Sequence, residues 1–253
     1  MEISAVDNGQ AFDFGKTSAA YARYRDIYPA ALYERLKAFG VAADGTAWLD
    51  LGTGTGVLPK NLYNPNAKIT GADISAEQIA YAKREAAAYG MDVTYLVAPA
   101  ERTGLPSGSF DAVTAAQCFF YFDRDAMQKE LRRLIKPGGV FIKIFMDWTA
   151  DDPIAAESSR IVRSLNPGWR SSEAAKRDMA DALFPDMQTE SFFADLPFSP
   201  GSWHGRMRAC RGTLASMDAE TFKKWEAAHL AMLSRCPPDF TVRHVVSLAA
   251  FRL

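Results

Sequence analysis

Asp50-Leu51-Gly52-Thr53-Gly54-Thr55-Gly56 is the stretch whose residue types and spacing are best suited to chemistry. Three glycines at alternate positions let the backbone turn tightly and approach a ligand that a Cβ would hold away. Val57-Leu58-Pro59-Lys60-Asn61-Leu62 follows, with Pro59 in the first turn of a helix whose free N–H groups would face the same ligand. Something flat and polar is expected across this loop. Further on, Asp73 closes an apolar run at a place where a carboxylate can hydrogen-bond both hydroxyls of a ribose.

Spacing and charge then narrow the ligand. A dinucleotide fingerprint requires G-x-G-x-x-G, whereas here the third glycine comes one residue early and Val57 stands where the last glycine belongs. The acid in front of the loop points the same way. A pyrophosphate gains nothing from Asp50, but a ligand with an ammonium or sulfonium group does. The charge logic favours S-adenosylmethionine over NAD.

A second concentration of reactive types is Ser202 to Gly212, where Trp203, His204, Arg206, Arg208 and Arg211 gather a stacking surface, an imidazole and three guanidinium groups. The set could clamp a carboxylate or phosphate. Equally, the arginines could form surface ion pairs with Asp or Glu on a solvated face, and Trp203 and His204 could be structural. If any residue is a general base it is His204, because His229 falls mid-helix and His244 in the last strand. Phe119, Phe120, Tyr121 and Phe122 form either an apolar wall that would attract a sulfonium or ordinary core packing.

The elements that must position these residues follow from periodicity. Thr46 to Leu51, Ala67 to Ala72, Val93 to Val97, Phe110 to Ala116 and Val140 to Phe145 are short apolar runs flanked by Gly, Pro or Asp, and read as strands. Between the second and third, Ile79, Ala82, Ala86 and Tyr89 recur at helical spacing up to Gly90. Ser75 and Gln78 form a capping box there, with Ile74 and Ile79 placed for a hydrophobic staple. Asp123 can cap a helix carrying Met127, Leu131, Leu134 and Ile135, which must end before Pro137. Alternating strand and helix, with strands apolar along their length, predicts an α/β fold: a doubly wound, mostly parallel sheet covered on both faces. After about Met146 the regularity lapses. Helices are expected over 153–164 and 171–183, a strand over 187–196, two helices within 202–234 and a last strand over 241–252. Helical insertions there would fall near the carboxyl ends of the strands, as lids.

Composition excludes other classes. The 29 basic and 30 acidic residues nearly cancel and form no long run, so binding to nucleic acid or an anionic membrane is not expected and a small substrate is. Cys118, Cys210 and Cys236 are too scattered for a disulfide framework or a metal site, so no metal and a reducing, cytoplasmic setting are expected. The first residues lack the basic start and apolar stretch of a signal peptide and no apolar run reaches about 18 residues, so neither export nor membrane anchoring is expected.

WLDLGTGTG, GADIS, AERTGLPSGSFD and LRRLIKPGGVFI, in this order, resemble the successive motifs of the class I S-adenosylmethionine-dependent methyltransferases over about residues 10 to 146. The resemblance implies a Rossmann-like seven-stranded sheet and a single domain over 1–253. Within it, 1–40 would be a helical cover, 41–146 the cofactor core, and 147–186 and 201–236 insertions forming a substrate lid. It also implies that Gly52, Thr53, Gly54 and Gly56 lie against the cofactor's methionine and ribose. Asp50 would stand near its amino group, Asp73 on the ribose and Ile74 on the adenine face. Ala100 and Glu101 would flank the adenine edge, Ala116 and Gln117 border the methyl group, and Tyr21, Tyr24 and Arg25 cover the cofactor. Phe119, Phe120, Tyr121, Trp203, His204, Arg206 and Arg208 are the substrate-side candidates. Two positions depart from the family: Pro99 replaces an aspartate that often receives the adenine amino group, and Phe120 stands where some relatives carry a histidine. Without that base, catalysis would rest on proximity and alignment. A cofactor-binding protein without catalysis, or an NAD-dependent oxidoreductase, are the competing readings.

Overall fold

The structure, a computed structural model, describes residues 7, 11–13, 23, 24, 26–170, 176, 179 and 183–253. The helix expected over 171–183 lies almost wholly outside them. The described elements are α1 (Ala30–Ala38), β1 (Ala47–Leu51), α2 (Val57–Asn61), β2 (Lys68–Asp73), α3 (Ala76–Ala88), β3 (Thr94–Val97), β4 (Phe110–Ala116), α4 (Arg124–Leu134), β5 (Ile135–Trp148), α5 (Pro153–Leu165), β6 (Gln188–Phe198), α6 (Pro200–Arg208), α7 (Ala219–Leu233) and β7 (Phe240–Arg252). The seven strands are ordered β3-β2-β1-β4-β5-β7-β6, and β1 to β5 pair in parallel. β7 runs against β5: Leu253 exchanges hydrogen bonds with Gly138 and Gly139 at one end, and Thr149 N–H donates to Arg243 O at the other. The expected fold class is the one observed.

The chain divides into two compact units. One comprises Tyr28–Phe145, Ala175–Ser191 and Val246–Leu253. Its core packs Leu49, Leu51, Val113 and Phe141 of the sheet against Met127, Leu131 and Leu134 of α4, each such side chain contributing about 1.5–3 kcal/mol on burial. The other comprises Met1–Ile27, Met146–Ala174 and Phe192–Val245, and contains α5, α6 and α7. Among the described residues no helix is long and apolar enough to cross a membrane.

Local signals mostly land where the sequence put them, with instructive exceptions. Asp123 caps α4 by accepting from Ala126 N–H (2.9 Å). Ser75 accepts from Gln78 N–H, but the reciprocal half of the box is made by Asp73, whose carboxylate takes the Ser75 N–H at 2.9 Å. The staple does not close, because Ile74 is 58% exposed while Ile79 is buried. β5 begins at Ile135 instead of Val140. Ile135 pairs with Phe110, an irregularity between Phe110 and Ala112 absorbs the Pro-Gly-Gly segment, and Lys136 Nζ bonds Asp111 (2.7 Å).

Candidate active site

The loop of residues 52–56 leaves the carboxyl end of β1 beside the end of β4, where strand order reverses and open α/β sheets bind ligands. It is pinned to β2: Thr53 N–H donates to Ala72 O (3.0 Å) and Gly54 N–H to Asp73 Oδ2 (2.9 Å). Two of the glycines answer to the protein's own packing. A Cβ on Gly52, at φ +61°, would meet Cys118 Sγ at 2.5 Å, and one on Gly56, at φ +80°, would meet the Tyr95 hydroxyl at 2.5 Å. Tyr95 lies beneath the loop, and Gly71, in mid-strand, leaves room for its ring. Sequence reasoning missed Tyr95 and Cys118; a glycine inside β2 was the one local sign of a close approach.

These contacts give a stability test. Gly56→Ala should cost on the order of 2 kcal/mol in denaturant unfolding, combining left-handed strain with the clash on Tyr95. Tyr95→Phe in the same chain should recover the clash but not the strain. Failure of the second change to recover anything would show that Tyr95 does not confine the loop.

The electrostatics of the loop are set by two carboxylates. Asp50 is nearly sealed from solvent. Trp48 Nε1 donates to Thr114 Oγ1 (2.9 Å) and the Thr114 hydroxyl donates to Asp50 Oδ1 (2.7 Å). Burial pushes the Asp50 carboxyl up to about 7, against the Thr114 bond and with help from the charge of Asp73. Burial also raises the Asp73 carboxyl, opposed by the N–H groups of Ser75 and Gly54. A loop floored by two acids of this kind suits a cation. A pyrophosphate would be repelled, and α2, with only five residues, offers it little compensating dipole.

Around this floor, Ile74 presents an exposed apolar side chain beside Asp73. Ala100 is buried in the turn after β3. Glu130 fixes that turn by accepting from the Thr103 N–H (3.0 Å) and hydroxyl (2.8 Å). Glu101 accepts from Asp123 N–H (3.0 Å), tying the turn to the start of α4. Ala116 ends β4 and Gln117 follows it in the left-handed region at φ +64°, a conformation a non-glycine residue keeps only where its surroundings impose it. That turn delivers the aromatic row. Phe119 is core, 5.4 Å from the Phe141 ring and 5.6 Å from Lys143 Nζ. Phe120 and Tyr121 are half-buried, their rings 4.2 Å apart, with Phe145 at 6.1 Å from Phe120. Tyr21 and Arg25 lie outside the described residues.

The other candidates belong to the second unit. Trp203 is fully buried, with its indole N–H on Ser158 Oγ (2.9 Å). His204 is buried against His229, Nδ1 to Nδ1 at 2.8 Å. Arg206 is buried with its guanidinium 5.2 Å from the Trp148 ring centroid. Arg208 pairs with Glu226 (2.5 Å), and Arg211 with Asp7 in a buried ion pair (2.5 Å). Both arginines thus hold carboxylates of the protein itself, the Arg208 pair partly exposed and the Arg211 pair buried where a surface pair was the expected alternative. Tyr24 lies against α6, where a Cβ on Gly205 would strike its ring.

Residues 49–143 match the family described as "Methyltransferase domain". A demethylmenaquinone methyltransferase of Thermus thermophilus is 44% identical over 94 residues, covering 36% of this chain and 43% of the relative. A ubiquinone/menaquinone biosynthesis C-methyltransferase of Hahella chejuensis is 31% identical over 150 residues, covering 55% and 60%. The chain spans about half the length of such curated relatives. A solved protein of Anaeromyxobacter dehalogenans, provisionally assigned as a type II methyltransferase, superposes with a TM-score of 0.61 at 27% identity, covering 89% of this chain and 97% of that one.

Proposed function

We propose, from the match of residues 49–143 to a methyltransferase domain and from the geometry of the loop, that this is a class I S-adenosylmethionine-dependent methyltransferase that transfers a methyl group to a small-molecule acceptor. The observation that carries this reading is the pair of carboxylates, buried Asp50 and half-buried Asp73, bracketing a loop that turns at the switch point of the sheet. Asp50 would hold the cofactor's ammonium, Asp73 its ribose hydroxyls, and Ile74, Ala100 and Glu101 its adenine. The backbone of Gly52, Thr53, Gly54 and Gly56 would lie along it. The bound cofactor supplies a methyl group activated on a sulfonium.

The chain's own part is alignment. Ala116 and Gln117 would border the methyl group, and Phe120 and Tyr121 would present an apolar face to acceptor and sulfonium. Holding the two reacting atoms about 3–3.5 Å apart and in line can supply roughly 7–11 kcal/mol, which lets the reaction proceed without a base when the acceptor is already nucleophilic. His204 Nε2 is sealed from solvent, which weighs against its taking a proton from substrate. The wide scatter of Cys118, Cys210 and Cys236 along the sequence supports a reducing, cytoplasmic setting.

Calorimetric titration with S-adenosylhomocysteine and with NADH tests the cofactor: the first should bind and the second should not, and the reverse would overturn the reading. Incubation with methyl-labelled S-adenosylmethionine and small-molecule extract should then move label into a low-molecular-weight product. Label retained in the cofactor while S-adenosylhomocysteine binds normally would favour a binding protein without turnover.

A further inference from the structure

Three helices of the second unit, α5, α6 and α7, meet around two imidazoles whose proton positions the hydrogen bonds determine. Trp203 Nε1 donates to Ser158 Oγ at 2.9 Å, and the Ser158 hydroxyl donates to Ile154 O at 2.8 Å. With its single proton committed, Ser158 can only accept from His229 Nε2, 3.0 Å away. His229 therefore carries its proton on Nε2, and its Nδ1 is a bare lone pair. His204 Nδ1 lies 2.8 Å from that lone pair, so His204 must carry a proton on Nδ1. What remains is His204 Nε2, which has no hydrogen-bond partner among the described residues. The nearest carboxylate oxygen, Glu226 Oε1, is 3.7 Å away and is held by Arg208 at 2.5 Å. The Trp225 ring stacks on both imidazoles, with centroids 5.1 and 5.2 Å from theirs.

We propose that His204 and His229 form a proton-operated clasp on α5, α6 and α7, closed with no added proton or with one on His204 Nε2, and open with two. The first proton breaks nothing. It gives Nε2 a hydrogen to turn toward Glu226, leaves the Nδ1 bond intact, and sets a cation on the face of Trp225. A second proton, on His229 Nδ1, would set two N–H groups against each other at 2.8 Å and release the bond between α6 and α7.

Among the described residues, the charged and titratable groups facing the pair are Glu226 from α7 and Arg208 from α6, while α5 contributes the Ser158 hydroxyl. Burial lowers the proton affinity of His204, with Glu226 opposing and Arg208 reinforcing. Burial and the neighbouring His204 push His229 down to about 3. Both lie below the free imidazole, so the stability they confer is present above about pH 6.5 and is lost as pH falls. The element released is α6, which carries Gly205 against Tyr24 and Arg206 beside Trp148. The clasp stands whether or not the chain binds S-adenosylmethionine.

Imidazole nitrogen–proton correlation spectra of the intact chain, followed from pH 7.5 to about 3, test it directly, since the three histidines are assignable by single substitution. At pH 7.5 His204 should be the Nδ1–H tautomer and His229 the Nε2–H tautomer, with His204 protonating first. Glu226→Gln should weaken the proton affinity of His204 several-fold. His229→Phe keeps a ring against Trp225 but neither hydrogen bond, and should lose less Tm between pH 7.5 and 5.5 than the parent. A neutral His204 with its proton on Nε2, a first proton taken by His229, or an unmoved His204 midpoint in Glu226→Gln would each overturn the clasp. The spectra of the parent decide this even if His229→Phe does not fold.

Discussion

S-adenosylhomocysteine at about one hundred times its Kd should stabilise the parent chain by about 2.7 kcal/mol, and Asp73→Ala should remove nearly all of that gain. The side chain has two tasks. Its carboxylate takes the N–H groups of Gly54 and Ser75, holding the loop to the end of β2 and completing the cap of α3. In the proposed complex it also receives the ribose hydroxyls. Asp73→Ala should therefore lower the ligand-free stability as well, by about 1–2 kcal/mol for the lost cap. Asp73→Asn separates the tasks, since one oxygen can still hold an N–H while the charge is gone. The measurement is thermal unfolding with and without ligand, read as a difference within each variant. A full ligand shift in Asp73→Ala would remove Asp73 from the site.

Asp50→Asn should do the opposite to the empty protein, raising its stability while weakening its hold on the cofactor. The native carboxyl titrates near 7, above its value in the unfolded chain. The folded state accordingly binds the extra proton between about pH 4 and 7, and stability falls as pH rises through that window and levels off above it. The displacement corresponds to a cost on the order of 4 kcal/mol at alkaline pH. Asparagine would recover part of it, at roughly 2–4 °C in Tm for each kcal/mol. Affinity of the parent for S-adenosylhomocysteine should improve as pH passes 7 and the ammonium meets an ionised partner. In Asp50→Asn that pH dependence should vanish. A variant with unchanged Tm at pH 8 would show that Asp50 is solvated, and an unchanged affinity profile would show that no ammonium faces it.

Much of the first half was legible because its determinants are local. A strand that is apolar throughout, an alternating-glycine turn and a cap such as Ser75 or Asp123 are written within a few residues of each other, and the observed elements begin within a residue or two of them. The part of the site that was not legible depends on distant partners. Tyr95 lies under Gly56 only because β3 pairs with β2. Gln117 looks ordinary until its backbone is forced to positive φ. His229 reads as an unremarkable mid-helix residue, yet its meaning comes from His204, 25 positions earlier, and from Ser158, 71 positions away. The cluster of arginines was visible as charge, but Asp7 and Glu226, which hold two of them, lie on other segments. The start of β5 was misplaced because Pro137 ends a helix without preventing an extended strand.

The line of bonds from Trp48 through Thr114 to Asp50 equips the protein with a built-in optical reporter. An indole wholly removed from water, two hydrogen bonds from a carboxylate, feels any change of charge there as an electric field along its excited-state dipole. With the other four tryptophans replaced by phenylalanine, the emission colour of Trp48 should follow the ionisation of that acid and its neutralisation by an incoming amine, with no label attached.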